Sequence, residues 1–346
     1  MSRQCRLPVS FHLKGFSLIE LMVSLTIGLI IAIAAFSAYL GSSSASKMAE
    51  AQGRMNEDAQ AALSILTQQI RMAQNNPNQA GRTKDARFNP IYSSYPYSST
   101  TYSTSPPAFA LSLYSIRGCD GVFTNTTTAT NLNNLTCTAG TNTSPDAIAI
   151  NYEADAFNSV ATTVQVPTDC LGIGLNQITV TFPATTSPGP YSTFPYYVAD
   201  NRFYIATSAS GASSPGLYCQ GNGVNGDGSA STAKLIVENI EDMQFNYGLV
   251  NKSNSPLDSP APSVAGYLTA DQVSNDTRLN PLSIDARWSK VVSVQVCVLV
   301  RSELLVASNM ASASYFMCDG TLNNAPPDLR LRRAYYATVV LRNRRP

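Results

Sequence analysis

Two kinds of side chain in this sequence of 346 residues could do chemistry: one carboxylate set against an apolar run, and a group of cysteines. Glu20 stands immediately before residues 21–40, twenty positions without a charge. A carboxylate in a membrane helix costs up to about 3 kcal/mol at the bilayer centre and less near an end, so it marks a function or a partner. Its natural partner is an ammonium group, because pairing neutralises both charges away from water. The cysteines are Cys5, ahead of the apolar run, and Cys119, Cys137, Cys170, Cys219, Cys297 and Cys318 beyond it. Six cysteines in an oxidising compartment form disulfides, and six allow 15 complete pairings. Nearness along the chain favours Cys119 with Cys137 and Cys297 with Cys318, leaving Cys170 with Cys219, although the sequence alone does not settle the connectivity. None of them has CxxC spacing, which argues against a zinc ribbon or a thioredoxin-like redox site.

The only histidine is His12, also ahead of the apolar run. A chain that lost this leading segment would contain none. Ser-His and Cys-His nucleophilic pairs, imidazole bases and histidine-ligated metals would be excluded together. A carboxylate-only or Ser-Lys hydrolase survives formally, but nothing marks one. The sequence therefore offers no catalytic residue, no metal ligand set and no cofactor site.

The element that must position Glu20 is the apolar run itself, about the length a helix needs to cross a roughly 30 Å hydrocarbon layer. Residues 1–15 contain Arg3, Arg6 and Lys14 and no acid, so this end is expected to stay in the cytoplasm and the rest to be exported. An ordinary secretory signal has its small-residue cleavage site after the apolar core. Here the small residue, Gly15, comes before it. The stretch Gly15-Phe16-Ser17-Leu18-Ile19-Glu20 resembles the class III signal of type IV prepilins, whose pattern is Gly-Phe-(Thr or Ser)-Leu-Ile-Glu, and all six positions match. The resemblance implies that a prepilin peptidase cuts after Gly15 and methylates the new amino terminus on Phe16. It also implies that Glu20 meets the terminal amine of a neighbouring subunit in a fibre core. The plainer alternative is a glutamate that snorkels to the interface and pairs at most with its own Phe16 amine.

Composition agrees with export. Charged residues are only 13% of the chain, while Ser, Thr, Asn, Tyr and Pro are abundant, as in a neutral-surfaced β-rich protein. Loss of residues 1–15 would leave 20 basic against 22 acidic side chains, a net charge of −2, so there is no global electrostatic case for nucleic acid. The chain is long enough for one sizeable domain, or two small ones, beyond the anchor.

Beyond residue 40, Met48, Ala51, Met55, Ala59, Ala62, Leu66, Ile70 and Ala73 recur at three- and four-residue steps. That period makes an apolar stripe on a helix whose other face carries Lys47, Glu50, Arg54, Glu57, Asp58 and Arg71. No proline occurs between Phe16 and Pro77, so one helix is expected throughout, a rod of roughly 90 Å at 1.5 Å per residue. Gly28, Gly41 and Gly53 are places where it could bend. Its second half is expected to dock a head through the stripe; a free coiled-coil stalk is disfavoured because alanine dominates the stripe. The expected boundaries are a leader at 1–15, a membrane and assembly helix at 16–40, its amphipathic continuation at 41–76 and a head at 77–346.

In the head, residues 91–145 read as long polar loops with a strand-like island at 108–116. Residues 146–152, 176–182, 196–206 and 243–247 read as strands, with 236–240 either strand or short helix. The glycine- and asparagine-rich stretch 222–228 superficially resembles a calcium loop, but it lacks regular acidic ligands, and a hairpin turn is the better reading. Residues 251–281 read as a polar loop. In KVVSVQVCVLVRS, Val292, Val294, Val296, Val298 and Val300 are expected on a core face, and Ser293, Gln295, Cys297 and Leu299 on a mixed one. A last strand is expected at 334–341. Around it lie Arg330, Arg332, Arg333, Arg342, Arg344 and Arg345, which invite a nucleic-acid or lipid-headgroup hypothesis. Charges bracketing an apolar strand are also ordinary edge protection, the favoured reading, because the aromatic residues sit within the strand and not beside the arginines as a stacking platform.

Four stretches of the head, GLYCQG, LIVENIEDMQFNYG, KVVSVQVCVLVRS and RLRRAYYATVVLRN, resemble the PilW family of type IV pilus minor pilins. This resemblance runs from Gly15 to the end and is weakest at 85–200. It implies an α+β fold, a long N-terminal helix packed on an antiparallel sheet, and a role without catalysis in a tip or priming complex that starts pilus assembly and supports twitching motility and adhesion. The implied partners are the prepilin peptidase, the inner membrane, other minor pilins, the major pilin and an adhesin at the tip. The implied location is the inner membrane with a periplasmic head, then the pilus at the cell surface. A J-type pseudopilin of type II secretion shares the anchor and the layout and is the alternative, as is a pilus-borne module that binds DNA or a surface.

Overall fold

A computed structural model describes residues 15, 17–74, 115–125, 132, 135–138, 140, 144–182, 192–207, 214–250, 264–275, 282 and 284–343. The chain divides into two units, Met1–Glu50 and Ala51–Pro346. The first is the initial part of helix α1 (Leu18–Met72), and its large apolar side chains, among them Leu21, Ile27, Ile31, Phe36 and Leu40, are exposed. Its most apolar window is the only one among the described residues long and apolar enough to cross a membrane, and none of that window is buried.

In the second unit the helix has a dry face. Ala51, Met55, Ala59, Ala62, Leu66, Ile70 and Ala73 are buried, most of them completely, whereas Ala61 and Gln68 on the opposite face are exposed. The three- and four-residue spacing puts these seven side chains on one stripe. The helix stops at Met72 because Gln74 takes a left-handed conformation (φ 63°) and donates its N–H to Asn151 O at 3.1 Å, diverting the chain onto a strand.

That strand belongs to the first of two antiparallel sheets. Its strands are β1 (Ile116–Cys119), β2 (Ala147–Glu153), β4 (Ser192–Thr207), β5 (Pro215–Gln220) and β6 (Lys234–Glu238) in that order, with β3 (Gln177–Phe182) pairing with the first part of β4. The second sheet has the order β12 (Arg330–Val340), β9 (Val291–Leu305), β7 (Ile240–Val250), β8 (Val264–Leu268). A ribbon of β10 (Tyr315–Phe316) and β11 (Leu322–Asn323) and the short helices α2 (Ala270–Asn275) and α3 (Ile284–Trp288) complete the described elements. Both sheets and the stripe on α1 contribute to one apolar cluster, including Ile148, Ile150, Phe203, Leu217, Phe245, Tyr247, Val296 and Val298. The α+β class expected from the sequence is the one observed.

The chain passes between the sheets at Asn239, the single residue between β6 and β7. It sits at φ 62°, a conformation that asparagine tolerates better than most residues. Its side chain donates to Asp58 Oδ2 on α1 at 3.1 Å, and its carbonyl accepts from Arg301 N at 3.0 Å, so the corner is tied to both the helix and β9. The strand-or-helix ambiguity at 236–240 thus resolves into two strands joined by a sharp corner.

Several expectations need correction. Val292 is not among the cluster residues, whereas Val291 is, because the register shifts between Gly248 and Leu249 opposite this end of β9. Such a bulge flips the alternation that a two-residue period assumes. The mixed face of β9 is also largely buried, with Ser293, Cys297 and Leu299 at 5% exposure or less. The stretch read as a polar loop at 251–281 contains β8 and α2, since the weakly patterned VAGYL pairs with β7 once the fold brings them together. The last strand begins at Arg330, four residues earlier than expected, so three arginines lie within it. GLYCQG supplies β5. Of the island at 108–116 only its end, at 115–116, is described, and most of 91–145 lies outside the described residues.

A test of the docking stripe follows from its close fit. Replacing Ala62 by Leu should overpack the helix–sheet contact and destabilise the head by about 1–3 kcal/mol. Ala61→Leu, on the exposed face of the same turn, should leave the melting temperature within a degree or two. Thermal unfolding of the two full-length variants in detergent checks the difference.

Candidate functional site

Gly15 is exposed, and nothing lies within 4 Å of where a side chain on it would begin. Phe16 lies outside the described residues. Helix α1 starts immediately after Ser17, whose carbonyl accepts from Leu21 N at 3.1 Å, and Ser17 N–H donates to Glu20 Oε2 at 2.9 Å. Ser17 and Glu20 therefore stand as N-cap and N3 of the helix, and the carboxylate satisfies one backbone donor that the helix itself leaves open. A negative charge here also complements the positive end of the helix dipole. The role of Glu20 as a cap was legible in the S-x-x-E spacing from Ser17 to Glu20.

Farther along, the head is stapled by three disulfides, Cys119–Cys137, Cys170–Cys219 and Cys297–Cys318, the pairing that nearness along the chain favoured for the first and last and left for the middle one. They belong to the two sheets and the loops that cover them: Cys119 ends β1, Cys219 lies in β5 and Cys297 in β9. The middle one closes a loop whose geometry depends on Asp169. Its Oδ1 accepts from Leu171 N and Ile173 N at 2.8 and 3.0 Å, and its Oδ2 accepts from Gly223 N at 3.0 Å. A Cβ on Gly221 or Gly223 would come within 2.0 or 2.7 Å of the Asp169 carboxylate, so glycine is needed at both positions for this approach. The stretch 222–228 is a hairpin turn: Asn225 N donates to Ser229 O, Gly228 N to Asn225 O, and Gly228 has φ 82°.

Arg330 and Arg332 of the arginine-rich C-terminal stretch are structural. The Arg332 side chain is 1% exposed, donating to Glu241 Oε2 at 2.5 Å and Oε1 at 3.1 Å and to Asp328 Oδ1 at 2.9 Å. Arg330 binds the other oxygen of Asp328 at 2.7 Å. Burial alone would raise the Asp328 carboxyl, but the hydrogen bonds from Arg332 and Arg330 outweigh it and hold the group at about 2. Its stabilising effect is therefore present above the ordinary carboxylate range and is lost as pH falls towards 2. Arg333 lies over the ring of Tyr335, 5.5 Å from its centroid. Arg344 and Arg345 lie outside the described residues, and Arg342 is exposed. Arginines that grip carboxylates inside a sheet are not a phosphate-binding surface.

A glycine ahead of an apolar membrane-length helix, a glutamate in its first turn, and a two-sheet head packed on its second half define a prepilin-like filament subunit. Comparison with known families agrees. The family described as Type IV Pilus-assembly protein W matches residues 202–343, from the end of β4 through β12, and the Prokaryotic N-terminal methylation motif matches residues 12–36. No curated protein and no solved structure matches the chain. The two matches support a type IV minor pilin, PilW-like over residues 202–343, with the motif of a processed prepilin and an apolar N-terminal helix suited to membrane anchoring.

Removing Arg332 should expose the structural role of the C-terminal arginines. Arg332→Ala leaves Glu241 and Asp328 without their shared cation and should cost about 3 kcal/mol, at the low end for a buried pair because both carboxylates are a quarter exposed. Arg342→Ala should be neutral within about 0.5 kcal/mol. Urea denaturation of the two variants would separate them.

Proposed function

We propose that this chain is cut between Gly15 and Phe16, methylated on the Phe16 amine, and built through Glu20 into a priming or tip complex that starts a type IV pilus. The observation that carries this reading is the Gly15–Glu20 motif set directly ahead of a bare apolar helix in a chain whose head matches the PilW family. Before assembly the helix holds the protein in the inner membrane with its head in the periplasm, the orientation favoured by Arg3, Arg6 and Lys14 ahead of the helix. Its partners are the prepilin peptidase, then other minor pilins and the major pilin. The role is assembly without catalysis, and it supports twitching motility and adhesion.

Glu20 has two claims on it in this scheme. In its own chain it caps the helix through Ser17 N–H. In the fibre it meets the amine of a neighbour, where an unpaired carboxylate would be costly. The two roles separate by substitution, because glutamine still accepts a hydrogen bond but carries no charge. Glu20→Leu and Glu20→Gln should both be processed normally, and both should lower incorporation into sheared pili about tenfold or more. Wild-type incorporation of Glu20→Gln would show that capping, and not charge pairing, is what assembly needs.

Two further measurements test the frame. Gly15→Leu should leave an uncut precursor in the inner membrane, and normal processing of that variant would refute the cleavage assignment. Deleting the gene should abolish surface pili while type II secretion continues; the reverse pattern would reassign the chain to a secretion pseudopilin.

A further inference from the structure

β7 has an edge that β8 covers only in part. β8 pairs with β7 from Tyr247 to Val250, and the preceding residues of β7 have β9 on one side only. At Met243 and Phe245 the missing neighbour is replaced by Asp146, the residue just before β2. Its N–H donates to Met243 O at 2.7 Å, and its Oδ2 accepts from Phe245 N–H at 2.7 Å. The side chain of Gln244, between them, donates to Ser144 O at 2.8 Å. One aspartate thus completes a backbone ladder with its own amide on one side and its carboxyl on the other, joining the first sheet to the second.

Burial works against ionising this carboxyl, while the Phe245 N–H favours its charge. Asp146 is 4% exposed. The ionisable groups facing it are Asp120 after β1, Asp271 in α2, and Asp242 and Tyr247 in β7. Asp120 is itself an acceptor for Thr269 Oγ1 and for the N–H groups of Ala270 and Asp271, so it holds the start of α2. Among the described residues the buried Tyr247 hydroxyl has no hydrogen-bond partner; it lies against the gap left by Gly118, and its ring meets Trp288 edge to face at 4.8 Å.

We propose that Asp146 is a proton-operated clamp between the two sheets: neutral, its carboxyl closes on the edge of β7, and ionised, it is driven towards water and releases that edge. A neutral carboxyl oxygen still accepts the Phe245 N–H, so protonation loses no hydrogen bond while removing repulsion from the three neighbouring aspartates. Burial, reinforced by Asp120, Asp242 and Asp271, raises the group to about 8 in the folded head, against an ordinary value of 3.8. An acid that holds its proton more tightly when folded makes the closed state lose ground as pH rises through that interval. The clamp is therefore tightest in acid and loosens steadily up to about pH 8.

The full-length protein in detergent micelles tests this by amide hydrogen exchange from pH 5 to 9. After correction for base catalysis, opening at the Asp146 and Phe245 amides should increase by up to tenfold per pH unit and level off near pH 8, while the β9–β12 ladder stays constant. Trp288, the only tryptophan, should report the titration as a fluorescence change with its midpoint near pH 8. Asp146→Asn keeps an acceptor and cannot ionise, so both pH dependences should vanish. Asp271→Asn, at the less buried helix, removes one repelling charge and should move the midpoint to lower pH, which keeps the test decisive if the asparagine variant folds poorly. Flat exchange in the wild type, or an unchanged pH dependence in Asp146→Asn, would overturn the clamp. None of these readings depends on pilus assembly, so they stand or fall apart from it.

Discussion

The head rests on the burial of one helix face between two sheets. Ala51, Met55, Ala59, Ala62, Leu66, Ile70 and Ala73 are the seam, and strands of both sheets contribute to the apolar cluster that it joins. Four of the seven are alanine, which lets backbones approach closely but leaves little area per residue to bury. Such a seam gains its stability from continuity along several turns and not from any single large side chain. The larger apolar side chains, Phe203, Phe245, Tyr247 and Trp288, come from the sheets and α3.

Around this seam several charges are held inside the protein. Arg202 binds Asp200 through two bonds, 3.1 Å from Nε to Oδ1 and 2.7 Å from Nη2 to Oδ2, with both side chains at 8% exposure or less. Arg332 holds Glu241 and Asp328, Asp169 organises a disulfide-bound loop, and Asp146 stands in for a strand. Buried ion pairs such as Arg202–Asp200 fix geometry more than they add stability, because desolvation offsets much of their attraction.

The two ends of the chain divide the functional work. The N-terminal end carries the prepilin motif, with a glutamate in the first turn of an apolar helix. The head carries the PilW signature, and the residues behind that signature are structural: Gly221 and Gly223 make room for Asp169, Asn239 turns the corner between sheets, and Arg332 ties β12 to β7. A family likeness made of such residues reports a shared architecture, and the pilus role comes from the anchor that precedes it.

Much of this was legible in the residues. The anchor, the stripe from Ala51 to Ala73, the strands at 146–152, 176–182 and 196–206, the hairpin at 222–228 and the disulfide-rich, histidine-poor composition follow from local periodicity and counting, which need no knowledge of the fold. What the tertiary structure alone decided involves contacts between distant residues. The bulge that exchanges Val291 for Val292, the pairing of VAGYL with β7, and the capture of Arg332 by Glu241, 91 residues away, depend on which strands become neighbours. Asp146 shows the difference most clearly. In the sequence it is an aspartate at the start of a strand; in the fold, desolvation and three carboxylates from other elements push its carboxyl well above the ordinary range, and no pattern within the strand carries that information.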